Sequence, residues 1–312
     1  DSEIAVLFAL GILDLLEKAM NVTNKFGVPA PLLTLATKEY YSKGDSQYSV
    51  TELLSSPQIR RLQERYKEQM TEDVSDMLWS MVGSALHVVM ERSETPGFIS
   101  EERLYATVDG QKISGQIDLQ EITPFGIILI DYKFTSSWAV MQEEKKEWVE
   151  QLNLYKWLVE TVKGQKVVGL KICAFIRDYS RHDTRQNYPE APITMVDIPV
   201  WDKDKTEAFM RSRLDAHTQS KYNRDFGEEQ EPCTDDDRWM KETTYAVKKE
   251  GRKTAVRVFK TMQEATDFQQ QESTYYVETR PGEPIRCTGN YCGVADFCPQ
   301  YKLWKAGFNE NA

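Results

Sequence analysis

The chain has 312 residues, 40% of them hydrophobic and 28% charged, with a formal net charge of −10. That composition fits a soluble globular protein, either one large domain or a core with an appended module, and excludes low-complexity and short-period repeat architectures. A net-acidic chain is not a basic nucleic-acid glove, so contact with DNA or RNA needs local basic patches or metal ions that offset the acids.

Near the N-terminus an apolar run from Ile4 to Leu13 lacks a basic leader and a small-residue cleavage site, and it is too short for a membrane span. It reads as a buried or partner-contacting helix. Met20 opens "MNVTNKFGVP" and offers an alternative start, which leaves the origin of residues 1–19 open. Residues 1–45 are taken as an N-terminal extension, and residues 46–70 as a capped helical entry. The stretch "TEDVSDMLWSMVGSALHVVMERS" then reads as an amphipathic helix, because Val74, Met77, Leu78, Met81, Val82, Ala85, Val88 and Val89 recur at i, i+3, i+4, i+7 spacing.

From about residue 98 the period becomes that of strands: "GFISEERLYATV", "QKISGQIDLQEI" and "GIILIDYKF", with turns at Asp109-Gly110 and Pro124-Phe125-Gly126. A helix, "EEKKEWVEQLNLYKWLVETV", follows, then the strands "VVGLKICAFIRDY" and "TMVDIPV", and the helix "KDKTEAFMRSRLDAHTQS". This order predicts an α/β core over residues 46–230, with a mixed central sheet flanked by helices. Residues 231–312 differ in composition. Within them, residues 239–280 read as a small inserted ββαβ module lying between Cys233 and three C-terminal cysteines.

The third strand carries the chemistry. Its run Ile127-Ile128-Leu129-Ile130 predicts a strand covered on both faces, and it ends in Asp131-Tyr132-Lys133. On an extended strand Asp131 and Lys133 share a side and Tyr132 points away. An isolated pair of this kind is ordinarily a salt bridge at a strand end. Here Asp118, in "GQIDL" on the preceding strand, adds a second acid, and Gly115 leaves room for close approach. Two carboxylates and an ammonium at adjacent strand ends suit a hard divalent cation and a polarised water. Projection at about 100° per residue puts His87 opposite the apolar stripe of its helix, with Gly83 one turn before it and Trp79, Ser80 and Met90 on the same face. Gln151 falls inside the apolar stripe of the later helix, one turn before Tyr155, and a buried amide must find partners.

The helix histidine, "GQID", "DYK" and "QLNLY", in that order over residues of about 75 to 175, resemble the PD-(D/E)XK nuclease superfamily, specifically its RecB-like exonuclease branch. The cysteine-bearing tail is most similar to phage-encoded members. The resemblance implies a restriction-endonuclease-like core that hydrolyses DNA phosphodiesters with Mg²⁺ or Mn²⁺. By resemblance Asp118, Asp131, the Tyr132 carbonyl and His87 would ligate metal, and Lys133 would position the nucleophilic water. Gln151 and Tyr155 would order the site and meet DNA phosphate. The first acid follows Ile117, where the family name has Pro.

Cys287, Cys292 and Cys298 have ligand-like spacing, and Cys233 in the loop-like "QEPCTDD" is the best fourth ligand; Cys173 sits in an apolar strand and reads as core. Four thiolates complete either a zinc or an iron–sulfur site, and spacing alone does not separate them. Related RecB-like nucleases hold a [4Fe–4S] cluster, but with one cysteine upstream of the core, and this chain has none before residue 173. Lys248, Lys249, Arg252, Lys253 and Arg257 in the module read either as a solvated hairpin or as an arm for DNA phosphates.

The expected activity is a DNA exonuclease of phage recombination or DNA processing, acting inside the cell. A structure- or single-strand-specific endonuclease on the same site, and a DNA-binding scaffold active only within a complex, are the rival readings. Expected partners are DNA and a phage annealing protein, a helicase or a second copy of the chain, with no membrane.

Overall fold

The strand period between residues 98 and 135 becomes three long antiparallel strands in the computed structural model, which describes residues 21–37, 42–142, 145–227 and 231–310. The apolar run Ile4–Leu13 and Met20 lie outside the described residues. The chain divides into two compact units, one of residues up to 55 with 68–225, the other of residues 56–67 with 226 onward. Among the described residues no helix is long and apolar enough to cross a membrane.

In the first unit, β1 (Asn21–Thr23) and α1 (Ala30–Thr37) precede β2 (Tyr48–Ser49) and α2 (Val50–Leu54). Ser49 and Glu52 form a reciprocal capping box that starts α2. The helical entry read over residues 46–70 is broken at Ser55-Ser56, and α3 (Pro57–Tyr66) belongs to the second unit. The chain then returns through β3 (Thr71–Asp73), parallel to β1, into α4 (Leu78–Glu91). The helix read from residue 71 therefore starts later. The reason is Asp73, whose carboxylate accepts from the Thr23 hydroxyl, the Lys25 and Ser75 amides and the Ser75 hydroxyl. Those bonds fix a turn ahead of the helix. The amphipathic period also predicts a buried stripe on α4, but none of its residues is buried. Instead Met81, Ala85, Val88 and Val89 join Leu35 and Ala36 of α1 around an open groove of about 450 Å³.

The central sheet contains β4 (Phe98–Val108), β5 (Gln111–Thr123), β6 (Gly126–Thr135), β7 (Val167–Ile176) and β8 (Ile193–Asp197), with β2 at one end. It is mixed: β5 runs antiparallel to β4 and β6, β7 parallel to β6, and β8 antiparallel to β7. One edge of β5 is shared, with β2 pairing near Ile113 and β6 pairing from Leu119 onward. Asp118 lies between these two segments, at the fork.

After β6 come α5 (Ser137–Met141), α6 (Lys146–Lys163) and, beyond β8, α7 (Lys203–Phe226). The core is α6 against the sheet, with α2 and α7 beside it: Leu152, Leu158 and Val159 are essentially inaccessible, as are Leu53, Leu129 and Ile172. Burying each such side chain contributes about 1.5–3 kcal/mol. The helix ends at Gly164, whose φ of 64° is the left-handed conformation that favours glycine there. Gly115 is required by the packing, since a Cβ there would meet Leu158 Cδ1 at 2.6 Å and Tyr155 Cε1 at 2.9 Å. This close approach brings α6, and so Gln151 and Tyr155, down onto the strand that carries Asp118.

The second unit adds to α3 the elements α8 (Asp235–Arg238), β9 (Met240–Lys241), β10 (Thr244–Lys249), β11 (Arg257–Phe259), α9 (Met262–Gln269), β12 (Tyr275–Arg280), β13 (Glu283–Pro284), α10 (Ile285–Thr288) and α11 (Pro299–Glu310). Strands β11, β10 and β12 form an antiparallel sheet, and α9 packs on it through Ala265.

Candidate active site

Asp118 sits where the backbone ladder fails on both sides. On one side, β4 registers Ser100 with Leu119 and Glu102 with Ile117, while the intervening pair, Glu101 opposite Asp118, is not bridged. Glu101 has a φ of 52°, uncommon for a residue with a Cβ. On the other side, the β5–β6 pairing reaches Leu119↔Ile130 and stops. The Tyr132 amide donates instead to Asp118 Oδ2, at 2.8 Å. A side chain thus replaces a main-chain partner, and its carboxylate is held at the end of β6.

The other expected residues gather around it. His87 projects from α4, with Nδ1 2.9 Å from Glu101 Oε1 and 3.7 Å from Asp118 Oδ1. Glu101, 8% exposed in its side chain, is braced by Gln116 Nε2, which donates to Oε2 at 2.6 Å, and Gln116 in turn accepts from Arg103. Asp131 and Lys133 share a side of β6, as the strand period predicts, with Nζ 2.5 Å from Asp131 Oδ2. Gln151 donates to Asp131 Oδ1 and to the Tyr155 hydroxyl, each at 3.1 Å. The Tyr132 ring is buried edge-on between His87 and Phe175.

The electrostatics are those of a site short of positive charge. Burial, and secondarily the Asp131 charge, push the Asp118 carboxyl up to about 7, against the pull of His87, Lys133 and the Tyr132 amide. His87 is raised, chiefly by its hydrogen bond to Glu101 and against burial, with Asp118, Glu101 and Asp131 adding to the rise. Asp131 Oδ2 is buried with no hydrogen-bond donor aligned on it, although the Lys133 ammonium is close enough to compensate its charge. An inward-facing carboxylate oxygen of this kind, beside a second carboxylate, fits a divalent cation. Among the described residues His87, Glu101 and Asp118 also form a trio whose ligand atoms lie within 4.8 Å of one another.

Glu101 is the residue that sequence reasoning misses. Its one visible signal is the acid pair Glu101-Glu102 inside a strand.

In the second unit, Cys233, Cys287, Cys292 and Cys298 are all buried and unpaired by disulfides, and they line one small cavity with Arg238 and Arg286. Burial pushes the Cys233 and Cys287 thiols up to about 11 and raises that of Cys292. Such thiols ionise only beside a strong cation. Gln58 of α3 accepts from the Cys233 amide at 2.6 Å and donates to Cys298 Sγ at 3.4 Å, while the Ser56 hydroxyl lies 3.2 Å from Cys233 Sγ. Cys173 lies in β7 of the first unit and is only half-buried where the apolar strand predicts core, and its register partner on the edge strand β8, Met195, is exposed. In the hairpin, Lys248 pairs with Glu278 and Lys249 with Glu272, and the Arg257 guanidinium lies over Phe259 and Phe268. Arg252 donates to Thr254, and Lys253 is exposed.

A mixed sheet flanked by helices, with an acidic candidate metal site at the fork of its central strands, defines the class. The chain belongs to the PD-(D/E)XK nuclease superfamily, whose family model matches residues 32–299. Nucleases of this superfamily generally use Mg²⁺ or Mn²⁺, and DNA is the substrate the family implies. Among solved structures, that of SSO0001 has a TM-score of 0.40 and 18% identity, covering 59% of this chain and 83% of its own. A candidate exonuclease from Eubacterium rectale has a TM-score of 0.28 and 10% identity, covering 50% of this chain and 54% of its own. No curated protein matches the chain.

Proposed function

We propose that this chain is a divalent-metal-dependent deoxyribonuclease, specifically a RecB-like DNA exonuclease that cleaves phosphodiesters by in-line attack of water. The observation that carries the reading is the buried Asp131 oxygen without an aligned donor, set beside Asp118 and Lys133 at the fork of the sheet. Asp118, Asp131, His87 and the Tyr132 carbonyl would hold the cation, with Glu101 close enough to join them. A divalent cation bound there supplies a more acidic water and Lewis-acid stabilisation of the phosphate.

The protein's own groups have separable tasks. Gln151 fixes one oxygen of Asp131 so that the other faces inward, and Tyr155 fixes Gln151. The Tyr132 amide fixes Asp118 Oδ2 and leaves Oδ1 directed at His87. The Lys133 ammonium orients the attacking water and offsets the negative charge that grows on the phosphate. Gln151 and Tyr155 stand where they can also meet a phosphate oxygen.

The four buried cysteines around one small cavity support a thiolate-bound metal site, which could be zinc or an iron–sulfur cluster. We read it as a [4Fe–4S] centre from the resemblance, with zinc as the alternative and a structural role in tying the C-terminal residues to α3. The similarity of the tail to phage-encoded members extends the reading to recombination or DNA processing inside a host cell, alongside an annealing protein or a helicase.

Linear DNA labelled at either end, incubated with Mg²⁺ or Mn²⁺, tests the proposal, with EDTA and Lys133→Ala as controls and a covalently closed circle as competitor. Metal-dependent loss of the linear form alone, abolished by Lys133→Ala, is the expected result. Cutting of the circle would instead support the endonuclease. Binding without cleavage of any DNA would support the scaffold.

A further inference from the structure

Beside the metal-binding residues lies an aromatic surface that the proposed chemistry leaves unused. Trp79, Gly83 and His87 stand one turn apart on α4, so they share a face of that helix. Trp79 is 48% exposed, although its ring is held 5.7 Å from Phe134 and has the Arg177 guanidinium 5.5 Å from its centroid. Phe134 directly follows Lys133 on β6. Arg177 directly follows β7, and its amide donates to the Thr135 carbonyl at 2.9 Å, which anchors it beside the end of β6. Among the described residues Arg177 makes no salt bridge, although, against burial and alongside the Ser137 hydrogen bonds, its charge helps to lower the neighbouring Asp178 carboxyl.

Between Trp79 and His87 the helix is bare. Among the described residues a Cβ built on Gly83 meets no atom within 4 Å outside its own helix backbone. An ordinary helix interior disfavours glycine by roughly 1 kcal/mol relative to alanine, and packing does not require it here. A large aromatic left half in water beneath an arginine with no salt bridge among the described residues is likewise no device for stability. Both features suit a strand that passes over α4 on its way to the metal-binding residues. Lys145 shares this neighbourhood: burial lowers its pKa against the pull of the Glu147 charge, and the Lys133 and Arg177 charges push the same way as burial.

We infer that Trp79 and Arg177 form a stacking platform for one unpaired nucleotide next to the scissile phosphate, Trp79 taking the base and Arg177 its phosphate, with the backbone crossing α4 at Gly83. The inference rests on the nuclease reading and deepens it by naming the substrate class, DNA with a single-stranded end. A blunt end exposes only the outer face of its terminal base pair and keeps that base paired in the duplex, whereas an overhang lets a base beside an internal phosphate turn onto Trp79 without unpairing.

The test measures binding of a fluorescent single strand and of a fluorescent blunt duplex in Mn²⁺, with Lys133→Ala as the background so that the DNA stays intact. Trp79→Ala should weaken single-strand binding by roughly 5- to 100-fold and duplex binding by no more than about twofold, since duplex contacts are chiefly electrostatic. Trp79→Phe should keep most of the single-strand affinity. Gly83→Leu, at a position with open space, should show the same selective loss, which guards against a misfolded Trp79→Ala. Arg177→Gln should lower the salt dependence of single-strand binding by about one phosphate contact. Equal losses on both DNAs, or no loss on the single strand, would overturn the inference. Wild-type cleavage is measured in parallel. If the wild type cleaves DNA while Trp79→Ala shows no selectivity, the platform alone is refuted. If it cleaves no DNA, the nuclease reading fails and the platform with it.

Discussion

Asp118→Asn should make the metal-free protein more stable, and increasingly so as the pH rises. In the wild type, burial and the Asp131 charge raise the Asp118 carboxyl from 3.8 to about 7. At 1.36 kcal/mol per pH unit, the ionised form is disfavoured in the fold by about 4 kcal/mol. The sign follows from linkage. A group whose pKa is raised on folding gives its full contribution below the unfolded value, near 4, and loses it as the pH climbs through about 7. Asparagine cannot ionise, and its carbonyl can still accept the Tyr132 amide, so the variant escapes that loss. The difference between variant and wild type should be roughly 1–2 kcal/mol at pH 5 and about 4 kcal/mol at pH 8. For a unit of this size an increment of a few kcal/mol corresponds to roughly 5–10 °C in melting temperature. Thermal melts in EDTA across that pH range provide the assay. Mn²⁺ should then narrow the gap by stabilising the wild type and not the variant. A difference that stays flat with pH, or a variant less stable at pH 8 than at pH 5 relative to wild type, would refute the reasoning.

Glu101→Gln should weaken Mn²⁺ binding by about tenfold or more, measured by calorimetry, because the residue holds His87 and its carboxylate belongs to the trio with His87 and Asp118 that could hold a cation. Gly115→Ala should cost about 1–3 kcal/mol in the first unit and slow turnover, since the new methyl meets Leu158 and Tyr155 at less than contact distance; an unchanged melting temperature would contradict it. Cys298→Ser should remove iron and visible absorption from the purified protein and lower the melting temperature of the second unit, and stoichiometric iron in that variant would rule out the four-cysteine centre.

The residues most legible in the sequence are those whose role is fixed by local periodicity. Asp118, Asp131 and Lys133 stand out because strand alternation places acids and an ammonium where an apolar run ends. Gln151 stands out because an amide inside an apolar helical stripe needs partners, and it has them. Glu101 was hidden because two adjacent acids in a strand look like a solvated edge, and only the unbridged pair opposite Asp118 turns one of them inward. The true start of α4 was hidden for a related reason: the apolar stripe runs back to Val74, but β1 and the Thr23 and Lys25 donors, some 50 residues away in sequence, capture Asp73. The exposed stripe of α4 shows the limit of periodicity, which marks an apolar face without saying what covers it. The assignment of α3 to the second unit depends on Ser56 and Gln58 meeting Cys233, a contact across more than 170 residues that no local pattern reports.

DNA hydrolysis with a divalent cation at the fork between β5 and β6 is the proposal from which the catalytic predictions follow. The most direct measurement compares wild type and Lys133→Ala on one labelled linear DNA, following cleavage and binding in the same Mn²⁺ buffer. Metal-dependent cleavage by the wild type is expected, with its loss by at least about a hundredfold in the variant and DNA affinity retained within a few fold. Cleavage that survives in Lys133→Ala, or that proceeds unchanged in EDTA, would contradict it.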